Sequence, residues 1–375
     1  IVDRSQGNVN SINGTSSIPA SYDARNYGLI TSVKDQDQLG TCWTFATANA
    51  AESSGIIKGL FESKDSADLS EWQIAYFMYH NVVDPLGLTT GDYNKPDYDA
   101  YFDGGYYKGA EYDMGGNPVL TTMLLAKGVG LVDEDKADYD TLVSRYNNKQ
   151  DASLDDSLAY ENNVVELDSS EWISLSDRTT IKEKIMEYGS GIISFNVNDS
   201  SYSDTYHSYY SSNGAYANSN HTVSLVGWDD SFSKYKFRHT APGNGAWLIK
   251  NSWGENVGDS GYFWISYYDV SIQNHDNIDD CVFFYDVCSP DETDNTYQYD
   301  GSSSINYRES SSAANLFTVN SAEKLKAASF YTLEANVGYT VSIYKKNHTS
   351  VVSTPTNGTL LGKVSGTAKT MGYHK

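Results

Sequence analysis

Apolar and polar positions keep a helical period through the first part of the chain and a strand period through the second. The alanine-rich stretch "CWTFATANAAESSGIIKG", beginning at Cys42, favours a helix, which Gly59 can end in the left-handed conformation after Lys58. "LSEWQIAYFMYH" carries a capping box, Ser70 with Gln73, ahead of apolar Ile74, Phe77 and Met78. In "GGNPVLTTMLLAKGVG", Asn117 is expected as N-cap and Pro118 as the first helical residue. Leu120, Met123 and Leu124 are expected as the buried face there, and Gly128 as the stop. "DRTTIKEKIMEYGSG" places Ile181, Ile185 and Tyr188 on one side of a further helix. Then come "IISFNV", "HTVSLVGW", "GAWLIKNSW" and "GYFWISYY", short and rich in β-branched and aromatic residues, as strands are. Helices followed by strands give an α+β layout with a cleft expected between two lobes.

The two ends read differently. Residues 1–17 are polar and read as a leader or remnant of a removed segment that need not fold. With Ile1 rather than Met at the start, any targeting signal is expected to have been removed. The polar run "CSPDETDNTYQYDGSSS" is the candidate linker to a third region at 291–375. There "GYTVSIYKK" alternates Tyr339, Val341 and Ile343 with Thr340, Ser342 and Tyr344, the pattern of a half-buried antiparallel strand. The last residues, "TMGYHK", read as the start of another strand, so this all-β region is expected to continue past Lys375.

Composition narrows the function. At 375 residues the chain has room for two or three domains. Its net charge of −23 would repel nucleic acid and anionic membranes alike, which excludes both as partners. No apolar run approaches the ~20 residues of a membrane span. The 31 tyrosines suit a secreted or surface-exposed protein. Of the three cysteines, Cys281 and Cys288 are close enough to bridge, but both are expected to be free and packed.

Cys42 is the candidate for chemistry. A nucleophilic cysteine needs a lowered pKa, a histidine to hold its proton, and donors for an oxyanion. A helix start supplies the positive end of a dipole. Gln36 in "KDQDQLGTCW" is an amide that can donate beside the Cys42 backbone N–H. His221, one of seven histidines, heads an apolar strand from which it can project into a cleft. Asn251 in "WLIKNSWG" can accept a ring N–H and fix the imidazole tautomer, with Trp253 shielding that bond from water.

These blocks, "VKDQDQLGTCWTFA", "SNHTVSLVGW" and "IKNSWGENVGDSGYFWISY", resemble the three signature segments of papain-like cysteine peptidases, the cathepsin clan. "LSEWQ" and "MGGNP" fill the places of two more, in the family's order, across residues 18–290. The resemblance implies a two-lobed fold and a peptidase acting on proteins through a thioester, without metal or organic cofactor. Cys42 would be the nucleophile, His221 the acid/base, Asn251 its orienter and Gln36 an oxyanion donor. Gly115, Gly116, Asn117, Trp43, Asn220 and Trp253 would line the substrate. Thiolate and imidazolium would rest as an ion pair, the thiol titrating near ~3–4 as in papain. Such enzymes are usually made as zymogens.

The departures are informative. Leu39 and Asp113 stand where the family usually has a disulfide, which fits a disulfide-poor bacterial branch. Cys42 and His221 lie 179 positions apart, beyond the usual ~130–150, with tyrosine-rich insertions expected to fringe the cleft. The sequon Asn220-His221-Thr222 would put a glycan on the site, which also favours a bacterial source. Residues 291–375 resemble the lectin-like β-sandwich that follows such peptidases in surface proteins of anaerobic Gram-positive bacteria, which implies cell-wall or host glycans as partners. Acidic loops such as "DETDNTYQYDG" offer a place for structural calcium, although such runs are ordinarily just solvated. The rival reading is a catalytically silent surface adhesin that keeps the peptidase fold as scaffold.

Overall fold

The computed structural model describes residues 18–80, 82–88, 110–212, 219–272, 281–290, 295–299, 312–346 and 355–375. The leader at 1–17, most of the first tyrosine-rich insertion, residues 213–218 of the second and most of the acidic linker lie outside them.

Helix α1 (Cys42–Ile57) is the axis of the molecule. It is buried from Cys42 through Gly55, because alanines at 46, 48, 50 and 51 and small hydroxyl residues let neighbours approach on every side. Its end is the one expected: Gly59, at φ 71°, donates to Ile56 O while Leu60 donates to Gly55 O. Helices α2 (Glu71–Tyr79), α3 (Pro118–Ala126) and α4 (Tyr139–Asn147) complete the helical lobe. Trp43, Leu69, Trp72, Ile74 and Leu124 lie in its core. Helix α5 (Arg178–Tyr188) buries Ile181, Ile185 and Tyr188 against the strand lobe.

Two details of the sequence reading are corrected. Only half of the capping box forms on α2: Ser70 Oγ accepts from Gln73 N, but the Ser70 N–H goes to Val132 O. The Gln73 amide is spent on the carbonyls of Gly130 and Leu158 instead. On α3, Leu120 and Met123 are only partly buried, and Val119, Leu124 and Leu125 form the inner face. The helix leans on its neighbours one position round from the expected stripe.

The strands are β1 (Ser21–Asp23), β2 (Glu166–Ser174), β3 (Gly191–Phe195), β4 (Tyr202–Ser203) and β5 (Ser208–Tyr209). They continue as β6 (His221–Asp229), β7 (Ala246–Lys250), β8 (Tyr262–Ser266) and β9 (Cys281–Cys288). The C-terminal region supplies β10 (Phe330–Thr332), β11 (Val337–Lys345), β12 (Thr359–Ala368) and β13 (Met371–His374). One sheet runs β10-β13-β2-β9-β3-β6-β7-β8-β5-β4, with β1 also on β6. The β5–β8 pair is parallel and every other pairing is antiparallel. α1 packs across β6, β9 and β3, so the sheet positions the strand ends against the start of α1. Cys281 and Cys288 are not joined in a disulfide; Cys281 is buried and Cys288 half-buried.

The C-terminal segment is joined to this sheet. β13 pairs with β2, Met371 opposite Trp172 and Tyr373 opposite Ser170, and Tyr373 enters the same core as Trp43. Beyond it, β11 and β12 form a separate hairpin. Tyr339, Val341 and Ile343 are half-buried there and Thr340 is exposed, but Ser342 and Tyr344 are half-buried too, so the expected alternation holds only over the first part of the strand. No helix among the described residues is long and apolar enough to cross a membrane.

Candidate active site

Cys42 is the first residue of α1, 8% exposed, and Thr41 before it offers the helix no side-chain cap. The dipole end and free N–H groups of the first turn therefore face the thiol. The N–H of Thr222 donates to Cys42 Sγ at 3.4 Å. Thr222 is the second residue of β6, so this contact brings the strand that begins at His221 against the start of α1, although the two lie far apart in sequence.

His221 is 5% exposed, and its Nε2 is 2.7 Å from Asn251 Oδ1. With the Asn251 carbonyl as acceptor, Nε2 carries the proton and Nδ1 is left free. Asn251 follows β7 directly, and its own N–H is held by Gly261 O at 2.9 Å. The Trp253 indole stacks on the imidazole, centroids 4.5 Å apart at 22°. Burial pushes His221 down to about 4, opposed by the bond to Asn251. Burial pushes the Cys42 thiol up, opposed by the N–H groups around its sulfur. Taken singly, each group therefore favours its neutral form.

Gln36 reaches the same place, anchored more firmly than its sequence position shows. Its N–H donates to Ser252 O and its Oε1 accepts from Ser252 Oγ at 2.7 Å. Nε2 donates one hydrogen to Leu39 O at 2.8 Å, which leaves the second for an incoming oxygen. Gly115 has φ 74° and its carbonyl accepts from the Tyr79 hydroxyl. Gly116 lies on the Trp43 ring, where a Cβ would come within 2.5 Å.

Three of the residues expected at the substrate have structural partners in the fold. Trp43 is buried, its Nε1 donates to Gly40 O and its ring is the floor under Gly116. Asn117 Oδ1 accepts from Leu120 N, which spends its carbonyl on the N-cap of α3. Asn220 exchanges hydrogen bonds with the backbone of Val197 through both side-chain polar atoms, which locks the entry to β6. Where the family's disulfide would join 39 to 113, Leu39 sits in the core. Gly40 packs on the Asp113 backbone instead, its Cβ position 2.9 Å from the carbonyl oxygen.

Sequence reading missed what lies behind the cysteine. A cavity of about 20 Å³, roomy enough for one water, is bounded by Cys42, Asn49, Glu52, Glu71, Lys34 and Lys250, among others. Lys34 Nζ contacts Asp68 at 2.7 Å, Glu71 at 2.8 Å and Glu134 at 3.8 Å. Lys250 Nζ donates to Thr31 Oγ1 and Asn49 Oδ1. Isolated lysines and glutamates in a sequence read as solvated surface, and only their clustering at the lobe boundary marks them. No group of three or more His, Cys, Asp or Glu among the described residues is arranged to hold a metal ion.

Comparison with known proteins agrees with this arrangement. The profile described as "Papain family cysteine protease" matches residues 18–76 and 113–285, and "Lectin like domain" matches 296–375. The chain is 28% identical over 257 residues to the P34 probable thiol protease of Glycine max, covering 66% of this chain and 53% of that one. It is 25% identical to Cathepsin K of Mus musculus, covering 65% and 59%, and 27% identical to mouse Pro-cathepsin H, covering 68% and 62%. The chain thus spans between about half and three fifths of the length of these relatives. A similar fold occurs in the cysteine protease and lectin-like domains of Cwp84, a surface layer associated protein of Clostridium difficile. That structure aligns at a TM-score of 0.69 and 24% identity, over 96% of this chain and 71% of the other. With the peptidase profile covering well over half of its length, the chain belongs to the papain family of cysteine proteases.

Proposed function

We propose that this protein is a cysteine endopeptidase in which Cys42, His221 and Asn251 act together on a peptide bond. One observation carries the reading: His221 is held on Asn251 beneath Trp253 while its neighbour Thr222 donates to the sulfur of Cys42 at the start of α1. His221 Nδ1 takes the thiol proton. The thiolate attacks the carbonyl carbon, and the oxygen gathers negative charge between the Cys42 N–H and the second hydrogen of Gln36 Nε2. His221 returns the proton to the departing amine, leaving a thioester on Cys42. Water, deprotonated by His221, attacks the thioester; the acid leaves and the thiol is restored.

Burial favours two neutral groups taken singly, so the reactive ion pair depends on mutual attraction. The pair titrates as a unit rather than as two sites. The thiol need not match papain's free value for the chemistry to run, because a desolvated thiolate beside an imidazolium is held by charge and by Thr222 N–H.

The likeness to a surface-layer protein supports a secreted or cell-surface location, and the lectin-like match supports carbohydrate as the ligand class of residues 296–375. The test is casein cleavage under reducing conditions, wild type beside Cys42→Ala, with and without a thiol-specific epoxide. Cleavage lost with either change supports the reading. No cleavage and no adduct on Cys42 would leave a silent scaffold, and a glycan array would then test the adhesin.

A further inference from the structure

We propose that Asn49 is a positioning residue, a buried clamp that sets the spacing between Cys42 and His221 by tying α1 to the strand ends of the other lobe. The proposal rests on the peptidase reading above. Asn49 lies seven residues after Cys42, two turns along α1 and on nearly the same face, and it is 2% exposed. Its Nδ2 donates to Ser190 Oγ at 2.8 Å and its Oδ1 accepts from Lys250 Nζ at 2.8 Å. Ser190 immediately precedes β3, in which Phe195 lies opposite His221. Lys250 ends β7 and is followed at once by Asn251. One amide therefore bonds at the roots of the strands that place the base and its orienter.

Packing alone gives no reason for an asparagine here. Asn is a mediocre helix former, and a buried amide is costly unless satisfied. This one is satisfied only across the lobe boundary. Nor does apolar packing fix the distance, because the cavity of about 20 Å³ lies between Cys42, Asn49 and Lys250. Polar contacts set the separation instead. Lys250, buried, also donates to Thr31 Oγ1, whose hydroxyl donates to Glu52 Oε2. The charged groups facing Lys250 are Glu52 and, farther off, Lys34, Glu71 and Asp68.

Loss of the clamp lets the start of α1 drift from β6. At an effective dielectric near 20, lengthening a charge pair from about 4 to 5 Å weakens it by about a fifth, roughly fourfold in ion-pair population.

The test compares the full chain with Asn49→Leu, Lys250→Met and the double variant. Thermal stability is read beside the pH dependence of Cys42 alkylation by iodoacetamide, followed on the Cys42 peptide by mass spectrometry. Wild type is expected to show an acid limb below the free-thiol range, the mark of the ion pair. Asn49→Leu should lower the rate at pH 6 about fourfold. The double variant replaces both partners with apolar groups, and should recover most of the lost stability without recovering the rate. If rate and stability are instead lost together and regained together, Asn49 is merely structural and the clamp is wrong. An unchanged rate in a folded Asn49→Leu overturns it as well, and neither result touches the peptidase reading. A wild-type thiol that titrates as an ordinary cysteine, with no casein cleavage, removes the peptidase reading and the clamp with it.

Discussion

Replacing Asn251 by alanine removes the only side-chain acceptor on His221 Nε2 among the bonds described above, at a position 5% exposed and roofed by Trp253. The bond matters most when the ring is charged. A hydrogen bond to a charged group is worth about 1.5–3 kcal/mol, so kcat/KM should fall about 10- to 150-fold. KM should barely move, because Asn251 lies behind the imidazole and away from the peptide. The pH profile supplies the sign. Burial already pushes His221 down to about 4, and the Asn251 carbonyl is what opposes it. Without that opposition the ring holds its proton less well, and the basic limb of the profile moves to lower pH. Asn251→Asp keeps the acceptor and adds a charge that favours imidazolium, so its basic limb should move the other way. Initial rates of casein cleavage from pH 4 to 9, with melting temperatures for each variant, make the measurement. A folded Asn251→Ala with kcat/KM within about twofold of wild type and an unmoved basic limb would refute the role given to this residue.

Other consequences are equally direct. Gly116→Ala would drive a Cβ to 2.5 Å from the Trp43 ring, which is buried and tied to Gly40 O. The 115–116 segment must then shift, and peptide kinetics should show KM raised several-fold with kcat little changed. Burial raises Glu71 to about 7 and Glu134 to about 8, against the opposing pull of Lys34. Their folded pKa values lie above the unfolded ones, so this contribution to stability is full below about pH 4.5 and is lost as pH rises through 7 and 8. Glu134→Gln should therefore flatten the fall between pH 5 and 8, by roughly 1–3 kcal/mol in denaturant titrations at the upper end. An unchanged slope would mean that the carboxyl titrates normally. Gly372→Ala would place a Cβ 1.9 Å from Ser170 O at φ 131°, which the β13–β2 pairing cannot absorb. A lower melting temperature and new proteolytic cuts near 371–374 are expected, and native behaviour would show that the strand is dispensable.

The sequence displayed the chemistry better than its support. Cys42, His221, Asn251 and Gln36 each sit in a local block whose neighbours explain them: a helix start, a strand head, a strand end and a turn. Local pattern also gives the end of α1 at Gly59 and the inner face of α5. The structural bonds of Asn117 and Asn220 are not legible in sequence, for a physical reason. An asparagine beside a cleft has the same side chain whether it meets a substrate or caps a helix, and only the bonds to Leu120 and Val197 decide. The charged cluster was hidden because its members come from five separate stretches. Lys34, Glu52, Glu71, Glu134 and Lys250 show no period and no motif, and they meet only because α1 is sandwiched between the lobes.

The same long-range closure governs the C-terminal segment. Strand β2 has β9 on one flank and β13 on the other, so residues 371–373 pair with a strand laid down about two hundred positions earlier. Trp172 lies opposite Met371 and near Tyr331, and Tyr373 is buried in the core that also holds Trp43 and Trp72. An uncovered β2 would present an edge with unpaired N–H and C=O groups and expose Trp172, the kind of edge that proteins ordinarily pair or blunt. The same sheet continues through β9, β3 and β6 to His221, so a sheet anchored toward one end by the C-terminal region carries the proposed base farther along it. Disturbance at Gly372 is therefore a perturbation of the peptidase sheet itself. Its effect on casein cleavage should fall on the fraction of folded enzyme and leave kcat per active site unchanged, because β13 touches neither Cys42 nor the Asn251 loop.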